Sequence, residues 1–198
     1  MTEHQLTLDR RKAVARILAD RGDALLITGL GSPTWDVAAA GDHPNNFYLW
    51  GAMGAAAVMG LGLALAQPDR RVLVITGDGE MVLGLGALAT IAVAAPGNLA
   101  VCVIDNERYG ETGMQEGHTA AGVDLPGMAA AAGWPVTACA WTKDELEALV
   151  PVLHGETGPI FATVKVTADP APLVLPPRDG TVLRNRFRQA LLGEMAFE

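Results

Sequence analysis

The chain has 198 residues, half of them hydrophobic, enough for one well-buried domain and too few for two ordinary domains with a linker. A formal net charge of −8 and a pI near 4.9 exclude the basic surface that nonspecific nucleic-acid binding needs, so small solutes or other proteins are the expected partners. The polar, acidic start has no cationic segment leading into an apolar core, which predicts no secretory signal and a cytoplasmic protein; the apolar stretches over 53–66 and 82–95 fall short of the ~20 residues that cross a bilayer.

In chain order, Ala13, Val14, Ile17 and Leu18 recur at helical spacing over 8–21 with Arg and Lys on the other face, and Gly22 stops this amphipathic surface helix. A short buried strand over 24–28 runs into Gly29-Leu30-Gly31-Ser32-Pro33-Thr34, whose serine or threonine can cap a helix over 35–40. Then come a strand over 47–50, a helix over about 53–66, a strand over 72–76, a helix over 82–95 and a strand over 99–104. The Gly-rich stretch from Asn106 to Gly122 is irregular and too long for a simple connector. A helix over 125–132, a strand over 136–140, a helix over 143–153 opened by a Thr142–Glu145 capping box and a strand over 160–166 follow.

The strands are Val, Ile, Leu and Ala without polar alternation, the pattern of a sheet covered on both faces. This predicts a doubly wound α/β fold with about six parallel strands, as a single domain over 1–198. Its last part, 167–198, is a Pro-rich extension and a helix over 181–195 carrying Arg184, Arg186 and Arg188, which reads as a reach onto a partner subunit or as a plain surface tail. Cys102 and Cys139 each sit in an apolar run and read as small buried hydrophobes.

The strand over 72–76 runs directly into Gly77-Asp78-Gly79-Glu80, and the strand over 99–104 ends in Asp105-Asn106. In a parallel sheet these segments stand at the carboxyl ends of neighbouring strands joined by one helical crossover, where α/β sheets bind ligands. A carboxylate with an amide or backbone carbonyl oxygen is a hard-oxygen set suited to Mg²⁺ that keeps some ligands from a bound phosphate. Gly-Asp-Gly alone is also an ordinary tight turn; the paired Asn and the strand context favour the metal. Gly79, Glu80 and Met81 precede the helix predicted to start near Val82, so their amides point where a phosphate would sit.

Gly77-Asp78-Gly79, then 26 residues, then Asn106 resembles the pyrophosphate-binding domain of thiamine-diphosphate enzymes. More narrowly, Asp105-Asn106-Glu107-Arg108-Tyr109-Gly110-Glu111-Thr112-Gly113-Met114-Gln115, His118-Thr119, and Asn46-Phe47-Tyr48 upstream of Gly51-Ala52-Met53-Gly54 resemble the beta subunit of sulfopyruvate decarboxylase and the related phosphonopyruvate decarboxylases. The likeness covers about 29–166. It implies the thiamine-diphosphate-binding fold, thiamine diphosphate and Mg²⁺ as cofactors, and decarboxylation of a small 2-oxo acid, with sulfopyruvate the nearest candidate. Carboligation or acyl transfer with the same cofactor, and a non-catalytic phosphate-binding module, stay as alternatives.

The resemblance also implies roles for residues. Asp78, Asn106 and the backbone carbonyl of Arg108 would ligate the metal, and Ser32, Gly51, Met53, Gly77, Asp78, Gly79, Glu80, Met81, Asn106, Tyr109 and Gly110 would surround the cofactor. Ser32 donates to the diphosphate or caps a helix. Met53, 25 residues before Asp78, wedges beneath the cofactor or fills a core gap. Glu80 must face away from the diphosphate or contact a partner, because a second carboxylate beside phosphate repels it unless metal intervenes. The stretch after Asn106 would lie over the cofactor's reactive end, which makes His118, Glu111 and Gln115 candidates for proton transfer, with a solvent-exposed bystander as the other reading of His118. His43, placed by this reading near the carboxyl end of the sheet, is a further candidate, and the Arg108 side chain faces a sulfonate or phosphonate, or else solvent. The glutamate that bonds the aminopyrimidine in these enzymes comes from a separate pyrimidine-binding domain, and these residues contain no second α/β unit. The resemblance therefore implies an alpha subunit carrying that domain, shared sites, and at least an α2β2 assembly.

Overall fold

The computed structural model describes residues 6–197. Its main sheet has six strands, β1 (Leu25–Thr28), β2 (Asn46–Tyr48), β3 (Val72–Gly77), β4 (Leu99–Asp105), β7 (Val136–Ala140) and β8 (Ile160–Lys165), all parallel in the order β2-β1-β3-β4-β8-β7. A separate antiparallel hairpin of two-residue strands, β5 (Arg108–Tyr109) and β6 (Gln115–Glu116), lies in the stretch read from sequence as irregular. The helices are α1 (Arg10–Ala19), α2 (Ser32–Ala39), α3 (Ala56–Ala66), α4 (Asp78–Leu83), α5 (Gly86–Ala94), α6 (Leu125–Ala132), α7 (Lys143–Gly155) and α8 (Gly180–Leu192).

Two hydrophobic layers flank the sheet because successive strand side chains point to opposite faces. Leu73 and Ile75 of β3, with Ala100, Cys102 and Ile104 of β4, pack under α1, α2 and α7. Val72 and Val74, with Leu99, Val101 and Val103, pack under α3, α5 and α6. Each fully buried Leu, Ile or Val contributes roughly 1.5–3 kcal/mol, and the strands supply them on both sides, which is why their sequence shows no polar alternation.

The chain leaves β1 toward β2 on one side and resumes at β3 on the other, so the sheet changes its direction of winding between β1 and β3. The connections diverge there: α2 covers one face and α4 the other. A crevice opens at the carboxyl ends of these strands, the usual ligand position in open α/β sheets.

Several elements differ from the sequence reading. The helix expected over 82–95 is two helices. The first starts at Asp78, with Gly77 as its N-cap, and it stops at Gly84, whose backbone packs directly on that of Gly54. Ser32 is the first residue of α2, whose cap Gly31 makes no side-chain cap bond, so neither Ser32 nor Thr34 caps it; Thr34 Oγ1 instead donates to the Gly29 carbonyl at 2.6 Å. Cys139 is exposed on the edge strand β7, not buried. His43 precedes β2 and so stands at the amino end of the sheet, away from the crevice. The terminal helix α8 folds back on its own chain: Phe187 meets Phe47 edge to face at 5.6 Å, and Arg186 pairs with Asp42. No described helix is long and apolar enough to cross a membrane.

Candidate active site

The crevice is a pocket open to solvent, walled by the turns after β1 and β3, the end of β4 and the β5–β6 hairpin. It brings together Ser32, Met53, Gly77, Asp78, Gly79, Glu80, Asn106, Arg108, Tyr109, Gly110 and Glu111 from five separate stretches. Register explains the meeting of the β3 and β4 turns: Gly77 pairs with Ile104, so Asp78 and Asp105 follow side by side. Met53 is 39% exposed at the pocket wall, a position that gives it no core gap to fill.

Asp78 is buried, and its electrostatics are unusual. Burial first, and then the charge of Asp105, push its carboxyl up to about 7. Thr119 Oγ1 lies 2.8 Å from Asp105 Oδ1 and 3.2 Å from Asp78 Oδ2. A hydroxyl has one hydrogen, so it cannot serve both acceptors fully. Asp105 is better supplied, with Lys165 Nζ at 2.8 Å and the Glu107 amide at 3.0 Å. Asp78 also accepts from its own amide and that of Gly79, yet burial beside Asp105 still disfavours its charge, and a divalent cation at this carboxylate would offset that cost.

Asn106 Oδ1 accepts the Arg108 amide at 3.0 Å, which folds the chain tightly past the end of β4. Between them Glu107 is held at φ +61°, a left-handed conformation that costs a non-glycine residue on the order of 1 kcal/mol or more. Two contacts hold it there: its carboxylate pairs with Lys165 Nζ at 2.8 Å, and its carbonyl accepts the Gly117 amide at 2.8 Å. Lys165 is buried, which works against its charge, but hydrogen bonds to Asp105 and Glu107 win and raise its pKa, and its ammonium also lies over the Trp141 ring. Among the described residues no three His, Cys, Asp or Glu side chains form a metal cage. A carboxylate, an amide oxygen and a backbone carbonyl instead fit a Mg²⁺ that takes its other ligands from phosphate.

The amides of Gly77, Asp78, Gly79 and Glu80 are those of a helix start, which find no partner within the helix. Met81 does not share this role. Its amide falls in the helical ladder and its side chain is buried in the core between α4 and the sheet. Glu80 lines the pocket but is buried and held by the turn after β1: Oε2 accepts the Leu30 amide at 3.1 Å, and a Cβ on Gly29 would stand 1.6 Å from that oxygen, so a side chain there would displace the carboxylate. Its Oε1 is buried with no hydrogen-bond partner. Gly79 is likewise dictated by a neighbour, since a Cβ there would meet the Tyr109 ring at 2.4 Å.

Gly51, Gln115 and His118 are exposed and do not line the pocket. Gln115 bonds Thr112, while His118 Nδ1 and the Tyr109 hydroxyl are hydrogen-bonded at 2.8 Å, so Tyr109 links the pocket wall to the histidine. Sequence alone assigns no role to Arg10, Thr119 or Lys165. Lys165 leaves one trace there, a charge at the end of an otherwise apolar strand.

A family model described as the thiamine pyrophosphate enzyme, C-terminal TPP binding domain, matches residues 34–164. The chain belongs to this thiamine pyrophosphate enzyme family. It is similar to a protein of Methanothermobacter thermautotrophicus named sulfopyruvate decarboxylase subunit beta, 36% identical over 188 residues, which are 95% of this chain and 98% of that one. It is also 42% identical over 146 residues to phosphonopyruvate decarboxylase of Streptomyces viridochromogenes, covering 73% of this chain but only 36% of that longer protein. Among solved structures, a thiamine diphosphate-dependent 4-hydroxybenzoylformate decarboxylase of Rhodococcus jostii RHA1 superposes with a TM-score of 0.69 at 19% identity, over 84% of this chain and 34% of the other, and shares the fold. The cofactor of this family carries a diphosphate, a group for which hard-oxygen donors and helix-start amides are chemically suited.

Proposed function

We propose that this chain is the diphosphate- and Mg²⁺-binding subunit of a two-subunit, thiamine-diphosphate-dependent 2-oxo acid decarboxylase with sulfopyruvate as its acid. The observation that carries the reading is the match along nearly the whole of a relative that is itself named a beta subunit, against only about a third of the longer phosphonopyruvate decarboxylase. An alpha subunit would bring the pyrimidine-binding domain and its glutamate, in an α2β2 or larger cytoplasmic assembly with sites between the chains.

When bound, thiamine diphosphate supplies the electron sink that lets a 2-oxo acid lose CO₂. This chain's residues would hold and orient it. Asp78, Asn106 and the Arg108 carbonyl would bind Mg²⁺, and the first amides of α4 with Ser32 would donate to the diphosphate oxygens. Met53 would set the cofactor's bend from the pocket wall, an orienting effect that counts because proximity of reacting groups is a large part of such rates. Glu111 lines the pocket, and His118 would hold a proton at Nδ1 or give it through the Tyr109 hydroxyl.

The test is to purify the chain with its partner and follow CO₂ release from sulfopyruvate, phosphonopyruvate and pyruvate. Turnover that requires both Mg²⁺ and thiamine diphosphate and prefers sulfopyruvate is expected. A complex that binds the cofactor yet decarboxylates none of the three acids would overturn the reading.

A further inference from the structure

Arg10 opens α1, which runs antiparallel to the strands. Leu8 bridges Val166 just past β8, so the first turn of α1 stands at the same carboxyl end of the sheet as the pocket. That turn contains Arg10, Arg11 and Lys12 and no acidic residue, although a helix start favours anions and disfavours cations. A local rule broken this way needs a compensating partner.

The partner in hand is only half sufficient. Arg10 and Arg11 both pair with Asp36 of α2, which is fully buried. Burial keeps the Asp36 carboxyl above the ordinary carboxylate range even against both guanidinium groups, so this one anion neutralises at most one of them. Arg11 is a quarter exposed and reaches the Pro172 carbonyl at 2.8 Å. Arg10 is more than nine-tenths buried and lines the pocket, beside the turn that holds Ser32. Arg108, the pocket's other guanidinium, is a third exposed and occupied by Glu116 at 3.2 Å. A buried arginine gripped from behind by a carboxylate and facing a cavity is pre-oriented for an anion in that cavity.

We propose that Arg10 is an anion-recognising residue of this pocket, held by Asp36 and presented to an anionic group of the bound molecule. The inference rests on the decarboxylase reading above for the identity of that molecule. Two sources offer the same chemistry: the diphosphate of the cofactor and the distal acid group of the substrate.

The two sources separate by measurement on the chain purified with its partner, as wild type, Arg10→Gln, Arg10→Lys and Arg11→Gln. Calorimetry gives the Kd of Mg²⁺–thiamine diphosphate, and steady-state assays give KM for sulfopyruvate and for pyruvate. Loss of a charge-assisted bond should weaken the affected constant about ten- to a hundredfold in Arg10→Gln, and less in Arg10→Lys, which keeps the charge without the fork. A diphosphate contact raises the cofactor Kd and leaves the ratio of the two KM values unchanged. A contact to the distal acid raises KM for sulfopyruvate and spares both pyruvate and cofactor. Arg11→Gln, which opens the same ion pair without lining the pocket, should lower the melting temperature and leave all three constants within about twofold.

Arg10→Gln with constants like those of wild type, or no worse than those of Arg11→Gln, overturns the proposal; if Arg10→Gln fails to fold, Arg10→Lys supplies the same comparison. If the wild-type complex decarboxylates neither acid, the decarboxylase reading fails by itself, and titration of magnesium pyrophosphate and of sulfopyruvate onto the chain still decides Arg10. Weaker binding by Arg10→Gln then supports its role, and unchanged binding both of magnesium pyrophosphate and of unreacted sulfopyruvate removes it.

Discussion

At the amino end of the sheet, Asn98 Nδ2 lies 3.1, 2.9 and 2.8 Å from the carbonyls of Ala64, Gln67 and Arg70 and shares its two hydrogens among them, and Arg71 gives its guanidinium to the carbonyls of His154 and Glu156 at the end of α7. At the carboxyl end, Asp78 and Asp105 compete for the one hydrogen of Thr119, and Glu80 Oε1 has none. Unpartnered buried atoms occur at both ends, but they differ in kind. Those on Arg21, Arg70 and Arg71 are spare donors of cations already bonded through their other nitrogens, whereas Glu80 Oε1 is an anionic acceptor in want of a donor or a cation, and burial beside Asp105 disfavours the charge of Asp78. A spare donor on a satisfied guanidinium costs little, while a buried carboxylate oxygen without a partner is expensive. Buried carboxylates whose charge is poorly compensated, gathered at the carboxyl end of the sheet, are what a cation-dependent site offers its ligand.

That contrast can be broken most directly at Asp78. Asp78→Ala should weaken Mg²⁺–thiamine diphosphate binding by roughly a hundredfold or more, more than loss of a supporting residue would, while the fold persists because a poorly satisfied buried charge is removed. Affinity retained in calorimetry would end the metal assignment. Thr119→Val, nearly the same in shape, should cost about ten- to a hundredfold in the same titration with little change in melting temperature. Equal affinity in Thr119→Val would show that Thr119 does not position Asp78.

Proton competition gives a smaller effect, of defined sign. The folded pKa of Asp78, about 7, lies above the ordinary carboxylate value. Its contribution to apo stability is therefore present at acid pH and lost as pH rises through about 7, whereas a divalent ion needs the ionised form. Cofactor affinity should fall roughly fourfold from pH 8 to about pH 6.5, and an affinity flat across that range would place the proton elsewhere. At the other end of the sheet, Asn98→Ala should lower unfolding free energy by about 1–3 kcal/mol in urea titrations and leave cofactor affinity untouched. A loss of affinity there would erase the distinction between the ends.

Much of this was legible before any coordinates. The six strands, their parallel arrangement and the two helical layers follow from uninterrupted apolar runs and 3.6-residue periodicity, both local properties of the chain. The pairing of Gly77-Asp78-Gly79 with Asn106 was legible too, because each ends a strand and parallel neighbours bring such ends together. The helix boundary at Asp78 and the burial of Met81 were not, since both depend on α4 turning directly off β3 and being cut short where Gly84 meets Gly54.

By itself, then, the sequence determined which strands build the main sheet, which faces are apolar, and which oxygen donors stand at the strand ends; spacing and side-chain type suffice for these. Only the tertiary structure decided that Glu107 takes a left-handed turn pinned by Lys165, that Thr119 stands between two carboxylates, and that Arg10, on a helix that looks like a solvated surface element, is buried against the pocket. These last depend on contacts between residues 14 to 58 positions apart. Local periodicity carries no record of such contacts, and packing creates them.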